Sequence, residues 1–305
     1  MTHLPPKPIL PAEQRIRAPF VPRYDDIGRT GHLLVSSIPI ALGETGWSVA
    51  SRLISRDAVR QTRILPMLSR LVVEAGAAPL SLVSRIEADA GIQFAHTRGP
   101  EGQVERLVLN MWCNIVGEAG RTHGPPPSNA GETLLAGRGF AEHVVTRPFD
   151  PPETRRVVEL DIPGLPRIPP DRYDWQPPEA LLQLPEGARW LDESFAFDAA
   201  PVVFGSDRTD SNLHVNSLVY PRLFIDAALR RFWDLGKRVA LRADAMEIAY
   251  RKPSFPGDRV FVALRAFACE NRWGASLMLV SDDDAKGALE AARPRCFARL
   301  WFVEE

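Results

Sequence analysis

Asp210, Asn212 and His214 occupy alternate positions in the run Asp207-Arg208-Thr209-Asp210-Ser211-Asn212-Leu213-His214-Val215-Asn216-Ser217-Leu218-Val219-Tyr220. Alternate residues of an extended segment point the same way, so carboxylate, amide and imidazole are expected to converge. A helix-like run follows, and its first backbone amides have no partners within the helix. Together these groups suit activation of a water molecule and polarisation of a carbonyl. Asp210 can accept a proton from water or hold it in line. An imidazole is the side chain suited to exchanging protons near neutrality, so His214 can donate to or orient the same water. Asn212 can fix the carboxylate or the carbonyl, and the helix amides can receive the developing oxyanion. Asp, Asn and Ser before a helix are also ordinary caps, the role that Asn216 and Ser217 fit best.

The elements that must position this cluster are legible around it. Residues 190–204 read as an extended segment. Residues 217–235 carry Leu218, Val219, Leu223, Phe224, Ala227, Ala228 and Phe232 near helical spacing, and Gly236 ends the run. Four extended segments follow at 239–250, 259–268, 273–281 and 295–303, with a turn at 253–258. Strand, helix and four antiparallel strands make an α+β layer. Arg222, Arg230, Arg231, Lys237 and Arg238 lie on or after the helix. They fit a solvated face that complements the helix dipole, or a contact for phosphates or an acidic protein.

The first half repeats this order. An extended stretch at 19–24 precedes Asp25, Asp26 and His32. A helix is expected over 35–54, although Pro39, Gly43 and Gly46 weaken it, and strands are expected at 68–75, 80–94, 104–116 and 137–146. Placing His32 on His214 also places Asp25 on Asp207, which points to a duplication. Gly28 and Thr30 then stand where the second half has Asp210 and Asn212, so the first half is expected to shape the molecule rather than to carry the chemistry. The expected boundaries are 1–147, a proline-rich connection at 148–188 that packs through Tyr173, Trp175, Leu181 and Leu182, and 189–305.

Composition removes several classes. A chain of 305 residues with 45% hydrophobic residues supports two ordinary cores. A net charge of -1 argues against nucleic acid as a partner. The three cysteines Cys113, Cys269 and Cys296 have neither zinc nor disulfide-framework spacing. No signal peptide or membrane span is expected, so the chain reads as cytoplasmic. His96, His123 and His143 lack carboxylates or cysteines at ligand spacing. No metal and no cofactor is expected, and neither a nucleophile elbow nor a phosphate loop occurs.

The Asp-x-Asn-x-His-Val-Asn-x-x-x-Tyr pattern at the start of a helix resembles the hotdog-fold acyl thioesterases, most closely the acyl-ACP thioesterases, whose single chains hold two hotdog domains. Glu247-Ile248-Ala249-Tyr250-Arg251-Lys252-Pro253-Ser254 resembles a strand of that family reading roughly Leu-Glu-Tyr-Arg-Arg-Glu-Cys. Tyr250 and Arg251 fall on its Tyr-Arg, whereas Pro253 and Ser254 replace its acid and cysteine. The resemblance covers 190–305 in motif and the first half in architecture only.

It implies two tandem hotdog domains, each an antiparallel sheet wrapped around a long central helix. It also implies hydrolysis of an acyl-CoA or acyl-ACP thioester at Asp210, Asn212 and His214, with Asn216, Ser217, Tyr220, Tyr250 and Ser254 lining the substrate. Two hotdog units in one chain allow a monomer, and a homodimer is the other expectation. An acyl-thioester hydratase or dehydratase and a non-catalytic acyl-binding protein are the competing readings. Dehydratases resemble Asp-x-Asn-Pro-Leu-His, with a longer step than Asp210 to His214.

Overall fold

The structure, a computed structural model, describes residues 4–237 and 240–305. The first three residues lie outside it, as do Arg238 and the start of the strand expected from Val239. Two compact bodies are formed, one from 4–33 and 37–176 and the other from 34–36 and 177–305.

In the first body, β1 (Arg15–Pro19) precedes α1 (Ile38–Leu53), the short α2 (Arg56–Thr62), β2 (Leu65–Ala75), β3 (Ile86–Arg98), β4 (Val104–Glu118) and β5 (Thr133–Thr146). All pairings are antiparallel, in the order β1-β3-β4-β5-β2. The second body begins with three two-residue strands, β6 (Arg189–Trp190), β7 (Ala196–Phe197) and β8 (Val202–Val203). Then come α3 (Val219–Asp234), β9 (Leu241–Tyr250), β10 (Arg259–Cys269), β11 (Arg272–Ser281), a one-turn α4 (Asp282–Ala285) and β12 (Cys296–Glu304). Its order is β9-β12-β11-β10, with β6, β7 and β8 each pairing with β10. Each body therefore has the same winding, one long helix followed by four strands, with the fourth strand beside the first and an upstream segment on the second.

The two helices bury matching faces. At the offset that carries His32 onto His214, Ile38, Pro39, Leu42, Thr45, Gly46 and Ala50 of α1 fall on Tyr220, Pro221, Phe224, Ala227, Ala228 and Phe232 of α3, and all twelve are buried. Proline sits in the first turn of each, where its missing N–H breaks no helical bond. The glycines that argued against a helix at 35–54 do not interrupt it. A Cβ on Gly46 would lie 2.7 Å from Met111 Sδ, so glycine here lets α1 approach β4 closely. Packing against the sheet outweighs the modest helix cost of that glycine.

Three expectations need correcting. The single strand at 190–204 is broken into three short pieces. The strand expected over 80–94 begins only at Ile86, and Leu80 makes one isolated bridge to Ala119. The extended stretch expected at 19–24 is instead β1 at Arg15–Pro19 and a 3-10 turn at Tyr24–Asp26. The proline-rich connection is ordered by bonds to both bodies. Tyr173 N–H donates to His96 O at 2.9 Å, and Arg106 stacks on Trp175 at 4.6 Å. Leu181 is buried beside Ala249 and Phe297, and Arg299 donates to the carbonyls of Ala180 and Gln183 at 2.7 Å each.

Candidate functional site

The segment before α3 is a tight turn rather than an extended run. A 3-10 turn at Ser206–Arg208 leads into a bridge between Thr209 and Val215. Inside it, Asp210 N–H donates to His214 O at 3.1 Å and Leu213 N–H to Asp210 O at 3.0 Å. Asp210 Oδ1 accepts the Asn212 N–H at 2.9 Å, an Asx turn. Alternation therefore does not bring the three side chains together. The turn instead sets Asp210 Oδ1 3.9 Å from His214 Nδ1, both side chains about a quarter exposed (24% and 28%). Asn212 is exposed, and among the described residues its side-chain amide has no partner.

The first body contains the same turn. A 3-10 turn at Tyr24–Asp26 leads into a bridge between Ile27 and Leu33. Gly28 N–H donates to His32 O at 2.8 Å, and Gly31 N–H to Gly28 O at 2.9 Å. Gly31 and Leu213 share a positive φ, 87° and 65°. Backbone has been copied while Asp210 and Asn212 have not, Gly28 and Thr30 standing in their places.

The histidines differ in what surrounds them. His32 is held at both ring nitrogens, Nδ1 at 3.0 Å from Thr30 Oγ1 and Nε2 at 2.9 Å from Ala77 O. A carbonyl only accepts, so the neutral ring carries its proton on Nε2 and takes the Thr30 hydroxyl at Nδ1. At His214 the assignment reverses. Nδ1 faces two acceptors, Val215 O at 3.3 Å and Asp210 Oδ1 at 3.9 Å. The proton of the neutral ring belongs there, and Nε2 presents a lone pair with no partner among the described residues.

Asp26 is structural. It accepts Arg23 N–H at 2.7 Å, the Arg23 guanidinium at 2.9 Å and the Ser37 hydroxyl at 2.8 Å. Burial alone would raise its carboxyl, but these donors hold it below the usual range.

The residues expected to line the substrate have other partners. Asn216 Oδ1 accepts Leu218 N–H at 2.8 Å and Asn216 O accepts Val219 N–H at 3.0 Å, so Asn216 braces the start of α3. Those two amides are thereby used and Pro221 has none, which narrows the oxyanion role expected of the helix N-terminus. Tyr250 donates its hydroxyl to Ser217 O at 3.3 Å. Tyr220 is 3% exposed and stacks edge-on against Tyr250 with ring centroids 5.6 Å apart.

Ser254 is fully buried and its carbonyl accepts Val215 N–H at 2.8 Å, tying the turn at 253–258 to the His214 turn. Burial raises the Tyr220 hydroxyl despite its interaction with Ser254, and raises Tyr250 well above its ordinary value. Tyr220, Tyr250 and Ser254 are thus an inner wall behind the turn. Cys296, whose spacing sets it apart from any metal or disulfide role, stands beside this wall and pairs in register with Tyr250. Burial pushes its thiol up, so it stays protonated and is no nucleophile.

The basic residues of α3 are not a free anion surface. Arg230 and Arg231 pair with Asp198 and Asp192, and Lys237 lies 3.7 Å over the Trp273 ring. Among the described residues no group of three or more His, Cys, Asp or Glu side chains is placed to hold a metal, and no helix is long and apolar enough to cross a membrane.

No family model matches the chain, and no curated protein matches it. Solved structures do. An acyl-ACP thioesterase from Bacteroides thetaiotaomicron is 14% identical, covers 94% of this chain and 97% of its own, and superposes with a TM-score of 0.59. A 12:0-ACP thioesterase from Umbellularia californica is 12% identical, covers 97% and 99%, and also has a TM-score of 0.59. Likeness at this level of identity fixes the fold: the chain is a double hotdog of the α+β class.

Proposed function

We propose that the protein hydrolyses an acyl thioester, acyl-CoA or acyl-ACP, at the Asp210–His214 turn. One observation carries the reading. Of two copies of the same backbone turn, one has its histidine bonded at both nitrogens, and the other leaves Nε2 without a partner among the described residues, with a carboxylate on the Nδ1 side. An imidazole with an open lone pair and a supported opposite edge is the arrangement of a general base. The double-hotdog fold and the acyl-ACP thioesterases that share it supply the substrate class.

In this mechanism His214 Nε2 takes a proton from water as the water oxygen bonds to the thioester carbon. Asp210 stabilises the imidazolium through Nδ1. The Asn212 amide, with the α3 amides not taken by Asn216, donates to the oxyanion. Collapse breaks the carbon–sulfur bond, and the proton passes from Nε2 to the leaving sulfur. Water and thioester become acid and thiol, with no other reactant. Tyr220, Tyr250 and Ser254 act behind the turn as support.

The test is release of free thiol from acyl-CoA and acyl-carrier substrates by the wild type and Asp210→Ala. A fall of about a hundredfold or more in kcat for the variant is expected. No turnover on a broad panel would remove the hydrolase reading, and an unaffected variant would remove Asp210 from the site. Tight acyl-CoA binding without turnover would then favour an acyl-binding protein. Loss of an enoyl chromophore without thiol release would favour a hydratase.

A further inference from the structure

The silent copy of the turn is occupied, and what occupies it is peptide. The segment Ala77-Ala78-Pro79-Leu80 of the same body lies across the His32 turn. Leu80 N–H donates to Gly31 O at 2.8 Å, and Ala77 O faces His32 Nε2 at 2.9 Å. A Cβ added to Gly31 would meet Pro79 Cβ at 2.7 Å, so glycine is what lets the segment close down.

In the other copy the corresponding segment after β9 meets the turn at Val215, whose N–H donates to Ser254 O at 2.8 Å, and among the described residues no bond reaches Leu213 O or His214 Nε2. The residue at the place of Gly31 is Leu213, 79% exposed and still at positive φ. Leu213 O and His214 Nε2, the counterparts of the two groups that hold the segment, have no partner among the described residues. A leucine in this conformation costs about 1 kcal/mol or more relative to glycine, so the turn keeps its shape here against local preference.

We infer that the open turn binds the thiol-side arm of the substrate by an amide, the Leu213 carbonyl accepting an arm N–H while the thioester carbonyl lies beside His214. This rests on the hydrolase reading and names a recognition element within it. The 77–80 segment serves as an internal template for reach and not for polarity, since His32 Nε2–H donates to Ala77 O whereas His214 Nε2 meets the thioester through the attacking water. A carbonyl near the histidine and an N–H on the turn carbonyl are separated by about seven bonds of peptide chain. Coenzyme A and acyl carrier proteins present the same pantetheine arm, with two secondary amides. In a thioester of that arm, the N–H of the amide farther from sulfur stands about eight bonds from the thioester carbonyl carbon, against about four for the nearer one, by ordinary covalent connectivity. The farther amide fits the template. Recognition through a backbone carbonyl is blind to the acyl chain and to whether coenzyme or protein continues the arm.

The experiment compares acyl-pantetheine with two analogues in which one amide N–H is replaced by an ester oxygen, either far from or near to sulfur. Replacing the far amide is expected to lower kcat/KM about five- to tenfold, the worth of one neutral hydrogen bond, and replacing the near one less than twofold. Equal rates for the far-ester analogue and the parent overturn the inference while leaving hydrolysis intact. The same three compounds as non-hydrolysable thioethers give a binding readout independent of turnover. Affinity that tracks the far amide upholds the subsite even if hydrolysis fails, and affinity indifferent to it overturns the subsite.

Discussion

At the scale of single residues, the proposed chemistry turns on which nitrogen of a histidine is left open. In the His32 turn Thr30 stands where the His214 turn has Asn212, and its hydroxyl holds Nδ1 at 3.0 Å. Asn212→Thr should transplant that hold. A hydroxyl donating to His214 Nδ1 would move the neutral ring's proton to Nε2 and remove the lone pair. Activity is expected to fall at least tenfold below that of Asn212→Ala, which loses the amide without adding a hydroxyl, with the thermal midpoint within about 2 °C of wild type. An Asn212→Thr enzyme as active as Asn212→Ala would show that the tautomer does not matter.

The chemical types Asp210, Asn212 and His214 were legible in the sequence, and so was the poverty of the first half. Their arrangement was not. Alternation applies to extended backbone, and a residue at positive φ such as Leu213 gives no sign of itself when it is not glycine. The opposed tautomers depend on Ala77 and Val215 carbonyls, which no residue identity encodes.

At the scale of elements, order and kind were legible and edges were not. The buried stripe of α3 and the strands after it follow from apolar periodicity. The helix over 35–54 survived Gly46 because the glycine serves contact with Met111, a reason visible only once the sheet is present. The strand expected from residue 80 failed because Leu80 belongs to the segment that caps the silent turn.

Close approach governs β11 as well. A Cβ on Gly274 would stand 2.2 Å from the Phe267 ring and 2.9 Å from Leu300 O, so Gly274→Ala must displace both a core aromatic and a neighbouring strand. It should destabilise the fold by about 2 kcal/mol or more. Chemical denaturation measures this, and a loss under about 0.5 kcal/mol would show that the sheet yields there at little cost.

At the scale of the whole molecule, duplication separates scaffold from chemistry. Both bodies keep the winding and the turn, and among the described residues only the second leaves its histidine Nε2 without a partner. The first body also carries a pH liability unrelated to catalysis. His143 is buried against the Trp47 ring at 5.1 Å, and burial lowers its imidazole from 6.5 to about 4. The folded chain keeps this ring neutral where the unfolded chain takes up a proton. Stability attributable to it is complete above about pH 6.5 and is lost as pH falls towards 4, by at most about 1.4 kcal/mol per pH unit. His143→Phe should flatten the dependence of unfolding free energy on pH across that window. An unchanged slope would mean that other groups set it.

The central claim is that one histidine of the duplicated pair does chemistry and the other holds structure. It is tested most directly by thiol release from one acyl-pantetheine thioester by wild type, His214→Ala and His32→Ala. Each variant's unfolding free energy is measured alongside. His214→Ala is expected to lose kcat by about a hundredfold or more with stability little changed. His32→Ala is expected to lose about 1–3 kcal/mol of stability with kcat within about twofold for the folded fraction. A His214→Ala enzyme that turns over like wild type, or a folded His32→Ala enzyme that does not turn over, would contradict it.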